Sequence, residues 1–179
     1  MRTDDTVACW GQNKYGESSP PPGAFLQVAS SGIYEGSAGY DQDVPHTCGI
    51  RTDGTIACWG NNYYGQSSPP AGTFAQVSAG GDITCGVSTD GTLVCWGGKP
   101  DRKPAPPPSG TFKQVSASDG HACALRTDNT VVCWDAGWGA GAYVPTDKFQ
   151  QVIAGRTDGN YACGLRLDGT LTCWGVIAR

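Results

Sequence analysis

The stretch CGIRTDGTIACWG, Cys48 to Gly60, is one of four near-copies in this chain. CGVSTDGTLVCWG starts at Cys85, CALRTDNTVVCWD at Cys123 and CGLRLDGTLTCWG at Cys163, while RTDDTVACWG opens the chain as a fifth copy without its first cysteine. Two apolar runs around Asp53-Gly54 read as a β-hairpin. A two-residue loop would set Cys48 opposite Trp59. A three-residue loop, Thr52-Asp53-Gly54, instead pairs Arg51 with Thr55, Ile50 with Ile56 and Cys48 with Cys58. Such a loop ends on a residue in the left-handed region, and the residues there are Asp5, Gly54, Gly91, Asn129 and Gly169, types that tolerate positive φ. Directly opposed strand residues lie within disulfide reach. The register therefore predicts four disulfides: Cys48–Cys58, Cys85–Cys95, Cys123–Cys133 and Cys163–Cys173. Zinc fits less well, because its cysteines come in pairs two to four apart. Here the spacing is ten throughout, with two histidines in the whole chain.

The repeat extends beyond the hairpin. Its tryptophan recurs at Trp10, Trp59, Trp96, Trp134 and Trp174, and a second landmark precedes each full hairpin: FLQVAS at Phe25, FAQVSAG at Phe74, FKQVSAS at Phe112 and FQQVIAG at Phe149. A period near 40 residues with strand signals alone fits one propeller blade per repeat. The expected fold is all-β: a β-propeller of repeated blades in a single domain, 1–179. It divides into an N-terminal half unit, 1–24, and four full units, 25–73, 74–111, 112–148 and 149–179. In the second hairpin strand Ile56 and Cys58 face one way and Ala57 and Trp59 the other. Both sets are apolar, so the strand is covered on both sides. The tryptophans are expected between blades, with Gly49, Gly86, Ala124 and Gly164 leaving room for a neighbouring indole.

Composition narrows the function. With 12 Lys+Arg against 16 Asp+Glu, the net charge is −4. This speaks against non-specific nucleic-acid or anionic-membrane binding. No run approaches the 18 apolar residues of a membrane span. Nor is there a basic-then-apolar leader in this chain. Disulfides imply an oxidising compartment, extracellular or periplasmic, reached by secretion with the signal peptide outside this chain.

Units such as FAQVSAGGDITCGVSTDGTLVCWG, FKQVSASDGHACALRTDNTVVCWD and GNNYYGQSS resemble the repeats of the regulator of chromosome condensation family, from Arg2 to Gly175. The cysteine-paired, proline-rich form is similar to its secreted bacterial branch, to which the propeller-type β-lactamase inhibitor is related. The resemblance implies four-stranded blades that bind partners through faces and rim. Disulfides and acidic charge set this chain apart from the founding member's role at chromatin. Four units plus a leading half fall short of the family's common seven blades. The expectation is therefore a piece of a longer chain, or self-assembly, with Cys9 unpaired or bridged between molecules.

Repeat proteins place their individuality in insertions. Val28 to Cys48 is 20 positions, against 8 in each of the next two units. That loop carries Tyr34, Glu35, Tyr40, Asp41, Asp43 and His46, a tyrosine-and-acid set suited to protein or sugar recognition. Asp41 and Asp43 alone do not make a calcium site. A smaller insertion brings Asp158 and Tyr161. Past the blade tryptophans, Tyr15, Tyr64 and Trp138 are candidates for a partly exposed rim, while Lys99, Arg102 and Lys103 read as a solvated loop. No nucleophile–base pair, phosphate loop or metal cluster is present, so no catalysis, metal or cofactor is expected. The function expected is a secreted, non-catalytic module that recognises a partner protein by face and rim loops. The alternatives are a lectin-like, glycan-binding propeller and a structural subunit of an extracellular assembly.

Overall fold

The computed structural model describes residues 4–32, 45–100, 105–119, 121–135, 144–155 and 161–175. Twelve strands form four antiparallel sheets of three, each sheet taking consecutive strands. The first strands are β1 (Phe25–Ser30), β4 (Phe74–Ala79), β7 (Phe112–Ala117) and β10 (Phe149–Gly155). The middle strands are β2 (His46–Arg51), β5 (Ile83–Ser88), β8 (His121–Arg126) and β11 (Tyr161–Arg166). The third strands are β3 (Ile56–Gly60), β6 (Leu93–Gly97), β9 (Val131–Asp135) and β12 (Leu171–Gly175). These are the propeller blades.

Each hairpin has the register its loop demands. Cys48 faces Cys58 and Ile50 faces Ile56, and the other three blades repeat this. The cysteine pairs are the closer, non-hydrogen-bonded type, and all four are bridged, with Cα–Cα distances of 4.0, 4.1, 4.0 and 4.0 Å. The third loop residue has positive φ in every copy: Asp5 at 59°, Gly54 at 83°, Gly91 at 87°, Asn129 at 71° and Gly169 at 85°. An aspartate seals each turn. Asp53 Oδ1 accepts from the Thr55 backbone N–H at 2.9 Å and from its hydroxyl at 2.7 Å, and Asp4, Asp90, Asp128 and Asp168 do the same.

The first strands carry a bulge that the sequence pattern does not announce. The register slips between Phe25 and Gln27, and likewise at Phe74/Gln76, Phe112/Gln114 and Phe149/Gln151. In a straight strand the phenylalanine and the valine three positions on would point to opposite faces. One extra residue puts them on the same face. Both are buried in blades 2 to 4. That face also holds the tryptophan, whose ring meets the phenylalanine at 5.9 Å for Phe25–Trp59 and 6.2 Å for Phe74–Trp96.

The blades stack in chain order, with the disulfide face of one on the Phe/Val/Trp face of the next. Cys48, Ile50, Ile56 and Cys58 meet Phe74, Val77, Val94 and Trp96. Ile83, Val87 and Cys95 meet Phe112, Val115 and Trp134, and Cys123 and Leu125 meet Phe149, Val152 and Trp174. Trp96, Trp134 and Trp174 thus lie in the seams as expected, whereas Trp59 is buried against Phe25 of its own blade and Trp10, in the leading copy, is 87% exposed rather than packed between blades. The small residue beside them has a different role from the one expected. A Cβ on Gly49 would stand 2.6 Å from Cδ1 of Phe25, and on Gly86 2.8 Å from that of Phe74, so the space is taken by the blade's own phenylalanine. The expected fourth strand also differs. Among the described residues each sheet has three, and the stretches after the tryptophan form turns. Prolines 20–22, 69 and 70 lack the N–H a ladder needs, and Asn13 and Asn62 fold the local backbone onto themselves instead. The leading copy keeps its turn at Asp4–Thr6, but Thr6 to Trp10 form no ladder.

Candidate functional site: the strand-link end and its aromatic rim

The links into the middle strands and the segments leaving the third strands share one end of the blades, because His46 pairs with Gly60 and Ile83 with Gly97. The hairpin turns occupy the other end. Contact at the link end is tight. Gly98 N–H donates to the Asp82 carbonyl at 2.8 Å, and a Cβ on Gly97 would come within 2.6 Å of that oxygen, at a φ of 87°. Next to it, Gly80 lies against the Ser118 backbone and Gly81 against the Asp119 carboxylate. Units 2 and 3 therefore join through a floor of glycines and acids. Burial, followed by the nearby Asp119 charge, raises the Asp82 carboxyl above its usual range, while the Lys99 N–H bonded at 3.1 Å opposes this.

The outer loops at this end are built by side chains. In Asn61–Ser68, Asn62 Oδ1 accepts from Ser67 N–H, the Ser67 hydroxyl donates to the Asn61 carbonyl, and Gln66 Oε1 accepts from Tyr64 N–H. Gln12–Ser19 repeats these bonds with Asn13, Ser18 and Glu17. Both loops aim a carbonyl at the next tryptophan: Trp59 Nε1 donates to Glu17 O, and Trp96 Nε1 to Gln66 O, each at 2.9 Å. Outside, they display aromatic rings. Tyr15 is 36% exposed with the Lys14 ammonium 5.0 Å from its ring centre. Tyr64 is half-buried beneath Lys99, at 5.7 Å, and Tyr63 stands edge-on to it while 80% exposed.

Of the residues singled out from the sequence, Tyr15 and Tyr64 occupy equivalent places on two successive rim loops. Tyr63, the most exposed ring of this rim, was missed; the doubled tyrosine in NNYYGQ was its signal. Tyr161 begins β11 in the last blade, partly exposed, its ring over Gly155 and its carbonyl accepting from His121 Nε2 at 3.1 Å. His46 is the correction. It is fully buried, and its Nε2 lies 2.7 Å from Thr84 Oγ1. Thr84 donates its own proton to Gln66 O, so it accepts from the imidazole. The histidine fastens blade 1 to blade 2. Its place just inside a strand, in front of a cysteine, dictated this burial. Tyr34, Glu35, Tyr40, Asp41, Asp43, Trp138 and Asp158 lie outside the described residues. Among the described residues, no group of three His, Cys, Asp or Glu is placed to hold a metal, and no helix is long and apolar enough to cross a membrane. Cys9 is unpaired, and burial raises its thiol above the ordinary range.

Three segments, 46–66, 74–98 and 112–134, match the model of the regulator of chromosome condensation (RCC1) repeat. These three segments are similar to RCC1 repeats. Among solved structures, the ectodomain of the Physcomitrella patens receptor kinase CR4 is 26% identical with a TM-score of 0.74, covering 98% of this chain and 44% of that one. The CRINKLY WD40 ectodomain of the Arabidopsis thaliana receptor kinase ACR4 is 24% identical with a TM-score of 0.65, over 83% and 50%. Yeast RCC1 (Prp20), solved bound to Kap60, shares the fold at 15% identity and a TM-score of 0.60, over 93% and 45%. The chain thus spans about half the length of the solved structures it resembles. No curated protein matches it in sequence.

Proposed function

We propose that this RCC1-repeat propeller is a secreted, non-catalytic module that holds a partner protein at its link end and rim. The observation that carries the reading is the contrast between the two ends of the blades. The turn end repeats one Asp–Thr bond in every copy, whereas the link end varies in length and displays Tyr15, Tyr63 and Tyr64 beside Lys14 and Lys99. Rigid rings that pack against lysine stems offer contact area at little entropic cost. Four disulfides fit an oxidising compartment, and two of the similar structures are receptor ectodomains. Yeast RCC1 engages proteins, Kap60 among them.

The test is cross-linking of the immobilised chain to extracellular proteins, before and after enzymatic removal of their glycans. Capture is expected to survive deglycosylation and to fall at least tenfold in a Tyr15→Ala/Tyr63→Ala variant. Capture that vanishes with the glycans would replace this reading with the lectin one.

A further inference from the structure

The rim loop Asn61–Ser68 is stiffened from within, so its side chains are held in place before any partner arrives. Tyr63 N–H donates to Asn61 Oδ1 at 2.8 Å, Tyr64 N–H to Gln66 Oε1 at 2.9 Å and Asn62 Nδ2 to Ser68 Oγ at 2.9 Å. The two rings fixed in this way meet edge to face, with centres 4.9 Å apart and planes at 88°. Lys99, from the segment leaving blade 2, closes over Tyr64. It is anchored in turn: its N–H donates to Asp82 Oδ2 at 3.1 Å, and the N–H of Gly98 before it donates to the Asp82 carbonyl. The result is a corner of one exposed ring, one half-buried ring and one ammonium, assembled from two blades.

The charge offered at this corner has one sign. No charged residue lies between Asp53 and Asp82. Asp82 is buried and faces the backbone of Lys99, and Asp119 lies half-buried with its carboxylate against Gly81. The rim loop Gln12–Ser19 reaches the same composition by another route. Lys14, supplied by the loop itself, lies over Tyr15, and Glu17 turns inward, its Oε2 accepting from Tyr15 N–H and its Oε1 buried. The lysine comes from a different place each time and takes no part in the loop's internal bonds. Lysine on tyrosine is therefore not a by-product of how these loops fold. In a chain of net charge −4, both loops pair a ring with a surface lysine and keep carboxylates off that surface.

Resting on the reading of this rim as the partner-binding surface, we infer that the partner presents an acidic polypeptide segment. One carboxylate of that segment takes the Lys99 ammonium, while a neighbouring side chain lies on the exposed face of Tyr63. A second carboxylate takes Lys14 on the adjoining loop. An ammonium already held against a ring attracts an anion with little further ordering on its own side. Two lysines on successive loops suit discrete carboxylates, whereas a sulfated polysaccharide calls for a denser run of cations.

The probe is the capped, dye-labelled peptide GEEYEEG, with GQQYQQG as its uncharged counterpart. Titrated with the whole chain, the acidic peptide is expected to bind saturably, at least tenfold more tightly than the glutamine peptide, and more weakly as salt rises. Lys14→Gln/Lys99→Gln should reduce that binding at least tenfold while the thermal transition persists. Lys113→Gln, which removes a cation bonded to Asn129 at the turn end, should leave it unchanged. The double lysine variant should also lose capture of extracellular proteins. Capture lost by Tyr15→Ala/Tyr63→Ala but kept by Lys14→Gln/Lys99→Gln would overturn the acidic partner and leave the rim reading standing. Absence of peptide binding, equal binding of the two peptides, or an equal loss with Lys113→Gln would each overturn the inference. So would a heparin oligosaccharide that binds through the two lysines where the peptide does not.

Discussion

The front and back halves of the chain use the same hairpin but cap it differently. In blades 1 and 2 the indole N–H of Trp59 and of Trp96 ends on the carbonyl of a self-bonded loop, at Glu17 or Gln66. In blades 3 and 4, Trp134 Nε1 and Trp174 Nε1 are buried without a partner among the described residues. The segments before them lack the Asn-X-Tyr-Gly-X-Ser-Ser pattern of the front loops. The hairpin and its cap are thus two modules that vary independently. The seam tolerates loss of the cap because the ring's area, more than its N–H, holds the blades together.

Along the inner edge, the carboxamides of Gln27, Gln76 and Gln114 each hold the N–H and C=O of a valine in the next blade, Val77, Val115 and Val152. This latch should not distinguish the halves, and that is the harshest check on this view. Gln27→Leu at the front and Gln114→Leu at the back each leave a buried peptide N–H and C=O unpaired. About 2–4 kcal/mol should be lost in either case, measured by denaturant unfolding. Gln151→Leu, in the last blade where the side chain is exposed, should stay within about 0.5 kcal/mol of wild type. A front loss much larger than the back one would mean that the halves differ along the inner edge as well as at the rim. A smaller effect reads the cap directly. Trp96→Phe removes a made hydrogen bond, whereas Trp174→Phe removes an unpartnered buried donor. Trp96→Phe should therefore be the costlier by about 1 kcal/mol. Equal costs would show that the loops contribute nothing through the indole.

The smallest effect is in pH. The turn aspartates have lowered pKa values in both halves, Asp90 to about 2 through the Ser88 hydroxyl and the Thr92 bonds, and Asp53, Asp128 and Asp168 through their threonines. Their stabilisation is complete above the unfolded carboxylate range and fades as pH falls from about 4. Asp82, found only at the seam of blades 2 and 3, is shifted the other way. Its contribution is present below the unfolded pKa and is lost as pH rises through the raised one. Asp82→Asn should flatten the decline in Tm between pH 4 and 7 and leave the acid limb unchanged. A curve parallel to wild type across that range would remove Asp82 from the pH response.

What the sequence disclosed was what a single hairpin dictates to itself. The loop length fixed Cys48 on Cys58, and the alternation around Trp59 placed the disulfide on one face and the indole on the other. What it concealed depends on two units meeting. The QV landmark was visible, but its role needs the next blade's edge beside it. The bulge at Leu26 is invisible because no residue type marks it, yet it decides that Phe25 and Val28 share a face. His46 looked like part of a surface loop because the insertion before it is long, although strand pairing had already drawn it inside. At the proposed rim, the equivalent places of Tyr15 and Tyr64 were legible from the repeated Tyr-Gly. Tyr63 was not, since doubling occurs in one copy only.

One bond at the turn end has a consequence for how such chains vary. The carbonyl of the left-handed turn residue accepts from the N–H of the phenylalanine that opens the following unit: Asp5 for Phe25, Gly54 for Phe74, Gly91 for Phe112 and Asn129 for Phe149. These partners lie 20, 20, 21 and 20 residues apart, although the last two intervening stretches lack the Asn-X-Tyr-Gly-X-Ser-Ser run that the first two share. The bond acts as a ruler. It allows the outer segment to change composition freely while holding its length nearly constant. Length can then change only where no ruler spans the chain, between a first strand and its middle strand, and there the separation from valine to cysteine ranges from 8 to 20.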